Sequence, residues 1–196
     1  MHFPIALIAL IAAASSSSAV TIRNYRTGTC KGTYRQCTNI KAQFYCARSV
    51  NPVYSSSRFL GLPTTAIGAI CTAKGGKKCG TVKKAGRGLN LCIGNGNSKG
   101  SYWFGCRSCS RGEDDELSMA GGVGEIDVSS LGDAATTIGS VAPDIIAFDG
   151  HQFGINQTTP QGVVNTLLQY FDAGADYADL PVDLKVYEVA VGDDVE

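Results

Sequence analysis

The 196-residue chain carries 17 Lys/Arg and 17 Asp/Glu, so its formal net charge is zero, yet every acidic residue lies after position 112 and every basic residue except Lys185 lies before it. Residues 20–112 hold sixteen Lys/Arg, no Asp or Glu and all eight cysteines, whereas residues 113–196 hold seventeen acids, one base and no cysteine, giving formal charges of +16 and −16. The basic half contains no His, Asp or Glu after residue 19, which excludes a self-sufficient acid–base hydrolase there, because that chemistry needs a proton donor and acceptor within hydrogen-bond reach of the reacting atoms.

Phe3–Ala14 is an unbroken apolar run, too short to span a bilayer and of the right length for the apolar region of a secretory signal. Ser15–Ala19 follows as a small-residue stretch, with Ser17 and Ala19 placed for cleavage before Val20. Residues 1–19 are therefore expected to be a signal peptide, and the remainder a secreted, extracellular protein. The positive charge expected at the start of such a signal comes only from the amino terminus and His2.

Export gives the cysteines their meaning. Cys30, Cys37, Cys46, Cys71, Cys79, Cys92, Cys106 and Cys109 are even in number and confined to the basic half, the pattern of a disulfide framework in an oxidising compartment. Four bridges are expected, with 105 possible pairings. Cys106-Arg-Ser-Cys109 has the CxxC spacing of redox and zinc sites, but no second CxxC accompanies it and the only later histidine, His151, lies in the other half. Structural disulfides are expected, with no metal and no cofactor.

Residues 20–111 read as a small all-β domain, a sandwich or open barrel. The β-prone pieces Val20–Ile22, Thr33–Tyr34, Gln43–Tyr45, Arg58–Leu60, Ala69–Cys71, Leu89–Leu91 and Tyr102–Phe104 are separated by Gly, Asn, Ser or Pro and show no helical period. Between them, Lys74, Lys77, Lys78, Lys83, Lys84 and Arg87 gather around Cys79 among Gly75, Gly76, Gly80 and Gly86. This predicts a cationic loop, pinned by its cysteine, that suits phosphates, sulfates or anionic lipid surfaces. Aromatic residues of this half, including Tyr25, Tyr34, Tyr54, Phe59 and Trp103, are candidates for stacking on bases or sugars. The alternative is that the aromatics form the core and the lysines keep the domain soluble.

Residues 112–125 read as a linker, acidic at Glu113–Glu116 and glycine-rich at Gly121–Gly124. Residues 126–196 read as a small acidic α+β region. Val128–Val141 is compatible with a helix or with irregular chain. Ile145–Phe148 and Gln152–Ile155 flank Asp149-Gly150, the strongest short hairpin signal. Thr159-Pro160 supplies an N-cap and a first-turn proline for a helix to about Asp172, with Val163, Val164, Leu167, Leu168 and Phe171 as its apolar stripe. Asp183–Val191 reads as a last strand, with a short helix after Pro181 as the alternative. Asp149 and His151 are the compact candidate pair for acid–base chemistry, and Asn156-Gln157-Thr158 is an N-glycosylation sequon.

Gly28-Thr29-Cys30 followed by Lys31, Arg35 and Cys37 resembles the γ-core of disulfide-stabilised defensive peptides. As a whole, the signal peptide, the cysteine count and the lack of a catalytic motif resemble the small secreted cysteine-rich proteins of fungi, effectors and toxins among them. That resemblance implies action by binding. The sequence thus supports a non-enzymatic binder of anionic polymers or surfaces, whether polysaccharide, phospholipid or nucleic acid, masked by contact between its basic and acidic halves. A permanent two-part module for a protein receptor, and a hydrolase borrowing acid–base groups from the acidic half, are the alternatives.

Overall fold

In a computed structural model that describes residues 19–47, 53–94, 96–105 and 136–190, the β-prone pieces become strands of two sheets. In chain order the elements are β1 (Val20–Tyr25), β2 (Tyr34–Ile40), β3 (Phe44–Cys46), β4 (Ser56–Leu60), β5 (Ala66–Lys74), β6 (Lys77–Gly86), β7 (Asn90–Ile93), β8 (Gly100–Gly105), β9 (Gly139–Val141), β10 (Ile145–Phe148), β11 (His151–Gly154), α1 (Gln161–Ala173), a 3-10 turn (Tyr177–Asp179), α2 (Val182–Lys185) and β12 (Glu188–Val189). The larger sheet runs β12-β11-β10-β2-β1-β4-β7 and the smaller β6-β5-β8-β3-β9. Each of the seven predicted pieces overlaps a strand. The expected leader, the linker, Cys106 and Cys109 lie outside the described residues.

Both sheets feed one apolar core. Val20, Ile22, Phe59 and Leu91 from the larger sheet pack with Ala66, Ile70 and Trp103 from the smaller. Approach is tight at Gly68, where a β-carbon would sit 2.8 Å from a Leu91 methyl and 3.0 Å from the Phe59 ring, so only glycine fits. Asn24, Ser57, Ser101 and the Trp103 indole are paired inside this core, as burial demands. Asn24 Nδ2 donates to the Cys46 carbonyl, its Oδ1 accepts from the hydroxyls of Ser57 and Ser101, and the Trp103 indole donates to the Ile40 carbonyl at 2.8 Å. Three disulfides, Cys30–Cys92, Cys37–Cys46 and Cys71–Cys79, reinforce it. Cys30–Cys92 spans 62 residues and is the strongest restraint on the unfolded chain, about 4 kcal/mol on the chain-entropy account.

The acidic half completes both sheets. β10 adds to β2 through Ile145↔Gln36, Ile146↔Arg35 and Ala147↔Tyr34, and β9 adds in parallel to β3 through Phe44↔Gly139 and Cys46↔Val141. The β10–β11 hairpin closes at Asp149-Gly150, both with positive φ (51° and 92°), as a two-residue type I′ turn requires. α1 lays Val164, Leu167, Leu168 and Phe171 on Ile146, Phe148 and Phe153, and Tyr54 of the basic half joins that second cluster.

Two terminal details differ from the sequence reading. The helix N-cap is Pro160, without a side-chain cap, because the Thr159 hydroxyl donates to the Gly154 carbonyl at the end of β11 instead. The expected last strand over Asp183–Val191 is shorter. Pro181 opens α2, which buries Leu184, and only Glu188–Val189 then pair with β11.

A buried cation joins the halves. Arg35 is 1% exposed, Nη2 donates to Asp172 Oδ1 at 2.7 Å, and its guanidinium lies 4.2 Å from the Phe171 ring centre. Arg26 also stacks over Phe171 and donates to its carbonyl. Replacing Asp172 by Asn keeps the shape of the site and leaves a desolvated guanidinium without its counter-charge. The expected loss of stability is about 1–3 kcal/mol, read from the midpoint of chemical denaturation; an unchanged midpoint would mean the cation is neutralised elsewhere.

Candidate functional site

The expected cationic loop is a β-hairpin. Its alternation is hidden in sequence because two register shifts interrupt the β5–β6 pairing, between Ile70 and Cys71 and between Thr72 and Lys74; such bulges break the two-residue period. The strand forms nonetheless because Cys79 and Ala85 bury into one cluster with Ile67, Ala69, Cys71, Tyr102 and Phe104. The turn is Gly75-Gly76, both at positive φ, and the Cys71–Cys79 disulfide clamps the two strands. At Gly80 a β-carbon would lie 2.3 Å from the Lys74 carbonyl oxygen, so glycine is obligatory where the bulged strand meets its partner.

This geometry sets the lysines along the β5–β6 hairpin, whose β6 is the terminal strand of the smaller sheet. Lys74 lies directly opposite Lys77, and Lys84 opposite Ile70. Lys83 stands between paired residues, and Lys78 lies on β6 between Lys77 and Cys79. Lys74, Lys77 and Lys83 are exposed, while Lys84 and Arg87 are half-buried. Among the described residues no carboxylate forms a salt bridge with Lys74, Lys77, Lys83 or Lys84. The aromatic candidates take the other option: Tyr25, Tyr34, Tyr54, Phe59 and Trp103 are all buried in the core and offer no stacking platform. The far part of the hairpin reaches the acidic half, where the Thr137 hydroxyl donates to the Cys79 carbonyl at 3.2 Å.

A second constellation gathers around His151. Asp149 is not its partner; its Oδ2 accepts the Tyr177 backbone N–H at 3.0 Å. The carboxylate on His151 is Glu188, with Nδ1 2.8 Å from Oε1. Tyr177 donates its hydroxyl to Glu188 Oε2 at 3.0 Å and stacks on the imidazole, ring centres 3.5 Å apart. Lys185 Nζ lies 4.5 Å from the centre of the Tyr177 ring. Glu188, Tyr177 and Lys185 carry no sequence signal linking them to His151; the β11–β12 pairing and the 3-10 turn bring them there. The group has a carboxylate-oriented imidazole, so it can pass a proton, but its partly exposed parts tie β11, the turn and β12 together as a clasp. Among the described residues no three His, Cys, Asp or Glu side chains group as they would around a metal ion, and no helix is long and apolar enough to cross a membrane.

Residues 21–131 match a family model, ARB_05566_N, described as an N-terminal domain. No curated protein and no solved structure matches the chain.

The clasp has a pH window. The hydrogen bond from His151 holds the Glu188 carboxyl below the usual carboxylate range, so its contribution is present above that range and is lost as pH falls through the lower folded value. The hydrogen bond to Glu188 pushes the Tyr177 phenol above its ordinary value of about 10, so that contribution is present below this value and is lost as pH rises through the higher folded one. Protection of the β11–β12 backbone amides, measured as exchange relative to the unfolded rate at each pH, should be greatest between these limits. Tyr177→Phe should abolish the alkaline change and leave the acidic one, and Glu188→Gln should flatten both.

Proposed function

The chain belongs to the ARB_05566_N family, and we propose that it is a secreted, non-enzymatic binding protein whose cationic β5–β6 hairpin engages an anionic polymer or surface. The observation that carries this reading is Lys74 held opposite Lys77 at the hairpin tip, with Lys83 and Lys84 on the same strand and no described counter-charge on any of the four. Like charges directly opposed across strands repel. A polyanion relieves that repulsion and gains the release of its own counterions. Polysaccharide, phospholipid and nucleic acid all supply such charge, and with the aromatics buried the contact is electrostatic and tolerant of sequence. This fits the effector- or toxin-like class that the sequence resembles.

The acidic half acts as a permanent shield on this reading. Its strands β9 and β10 are hydrogen-bonded into both sheets, so a cut after Arg111 would leave it in place. Thr137, bonded to Cys79, lies four residues after Asp133, the last of seven acids that begin at Glu113. The same shared sheets favour the second reading, a fixed module for a protein receptor, in which lysines on the edge strand β6 serve to block edge-to-edge pairing.

Salt separates the two. Binding of the full-length protein to heparin, RNA and phosphatidylserine vesicles should weaken steeply with salt. Replacing Lys74, Lys77, Lys83 or Lys84 singly by Gln should lower the logarithmic salt slope by about one for each lysine that meets a phosphate. Amide replacement of Glu113, Asp114, Asp115 and Glu116 should tighten binding by removing the shield. Affinity unmoved by all the lysine changes would leave the module as the function.

A further inference from the structure

We propose that Asn156 carries an N-linked glycan that covers the β12 edge of the seven-stranded sheet; the proposal rests on the export reading and is independent of polyanion binding. Asn156-Gln157-Thr158 has the acceptor pattern Asn-x-Thr, and all three residues are exposed in the turn between β11 and α1. The side chain is organised locally. Asn156 Oδ1 accepts both the Thr158 backbone N–H at 2.9 Å and the Thr158 hydroxyl at 2.6 Å, an Asx turn. Both bonds use the amide oxygen, and among the described residues Nδ2 has no hydrogen-bond partner. The nitrogen that would carry the sugar is thus accessible in the finished fold.

The same turn aims the sugar at a defined place. A β-carbon on Gly154 would lie 3.7 Å from Asn156 Nδ2 and 3.6 Å from Val189 Cγ1, so these two atoms flank one bare glycine. A glycan rooted on Nδ2 begins beside Val189. That residue belongs to β12, the terminal strand of the larger sheet, and with Val182 and Val186 it is 39%, 79% and 74% exposed. Among the described residues no strand pairs with the outer side of β12, and a terminal strand bordered by apolar side chains can pair with another chain. The opposite device guards β6, where lysines line the edge; β12 reads Glu188-Val189 and has no cation of its own.

In the transfer, Nδ2 attacks C1 of an oligosaccharide carried on a lipid pyrophosphate. The N–C1 bond forms, the C1–O bond breaks, the pyrophosphate leaves with the bonding pair, and an amide proton passes to a base of the transferase. The product is neutral at Asn156, bulky and hydrated.

The test is production of the full chain with its own leader in a eukaryotic secretory host. Exported protein should exceed its sequence mass. An amidase-type glycosidase should remove the excess and leave Asp at position 156. Asn156→Gln and Thr158→Ala should each export at bare mass, and Thr158→Ser should keep the glycan. Export of the unaltered chain at bare mass overturns the glycan and leaves secretion standing; retention inside the cell with the leader attached overturns the export reading and the glycan with it. For the shield, enzymatically stripped protein should self-associate with rising concentration in sedimentation, and Val189→Lys should suppress this. A stripped protein that stays monomeric overturns the covering role.

Discussion

The pairing of β2 with β10 is the contact on which the rest of the molecule depends. β2 is hydrogen-bonded to β1 on one side and to β10 on the other, so the basic chain's second strand is an interior strand only because the acidic chain completes it. Through β10 come β11, the α1 cover and the second core cluster, to which the basic half contributes Tyr54. Backbone bonds and apolar burial do not depend on ionic strength, whereas interactions between exposed charges fade over about 10 Å at 0.1 M salt. Two halves of opposite charge are therefore held chiefly by forces that salt affects little.

The one described salt bridge that crosses the halves shows the same ordering of forces. Arg35 is buried and Asp172 is half in solvent, an arrangement in which desolvation offsets much of the Coulomb gain. What the pair adds is position. The guanidinium is stacked on Phe171 and pinned by Asp172, so α1 can dock in one place. A leucine at Arg35 would pack, yet it would not choose that register.

Local pattern made the hairpin at Asp149-Gly150 and the α1 stripe legible, because each is specified by neighbours in sequence: a turn dipeptide between apolar runs, and a 3.6-residue period. β6 was illegible as a strand for a local reason too. Lys77-Lys78-Cys79-Gly80 and Lys83-Lys84 carry charge and glycine at positions where two bulges have already broken the alternation, so the apolar face of Cys79, Val82 and Ala85 does not show as a period of two. The cysteine count announced bridges, but Cys30–Cys92 depends on β4 pairing with β7, a contact of the finished sheet. Glu188 and Tyr177 around His151 were invisible for the same kind of reason: 37 and 26 residues separate them from it, and only the return of the chain at β12 brings them together.

The shield and the ligand, on the proposed reading, compete for the same lysines, and the outcome follows from concentration. A segment tethered within the same chain presents its acids at an effective concentration of about a millimolar. A small anion such as free phosphate meets one or two lysines at a time and gains little from each in water, where a pair of unit charges in contact is worth about 1 kcal/mol. A polymer or a membrane face brings many charges in one encounter and releases condensed counterions as each is neutralised. On the proposed reading such a ligand would displace tethered acids where small ions carrying the same total charge would not. Because β9 and β10 are hydrogen-bonded into both sheets, acids displaced on this reading would stay attached to the same molecule, and binding would favour places where anionic charge is dense.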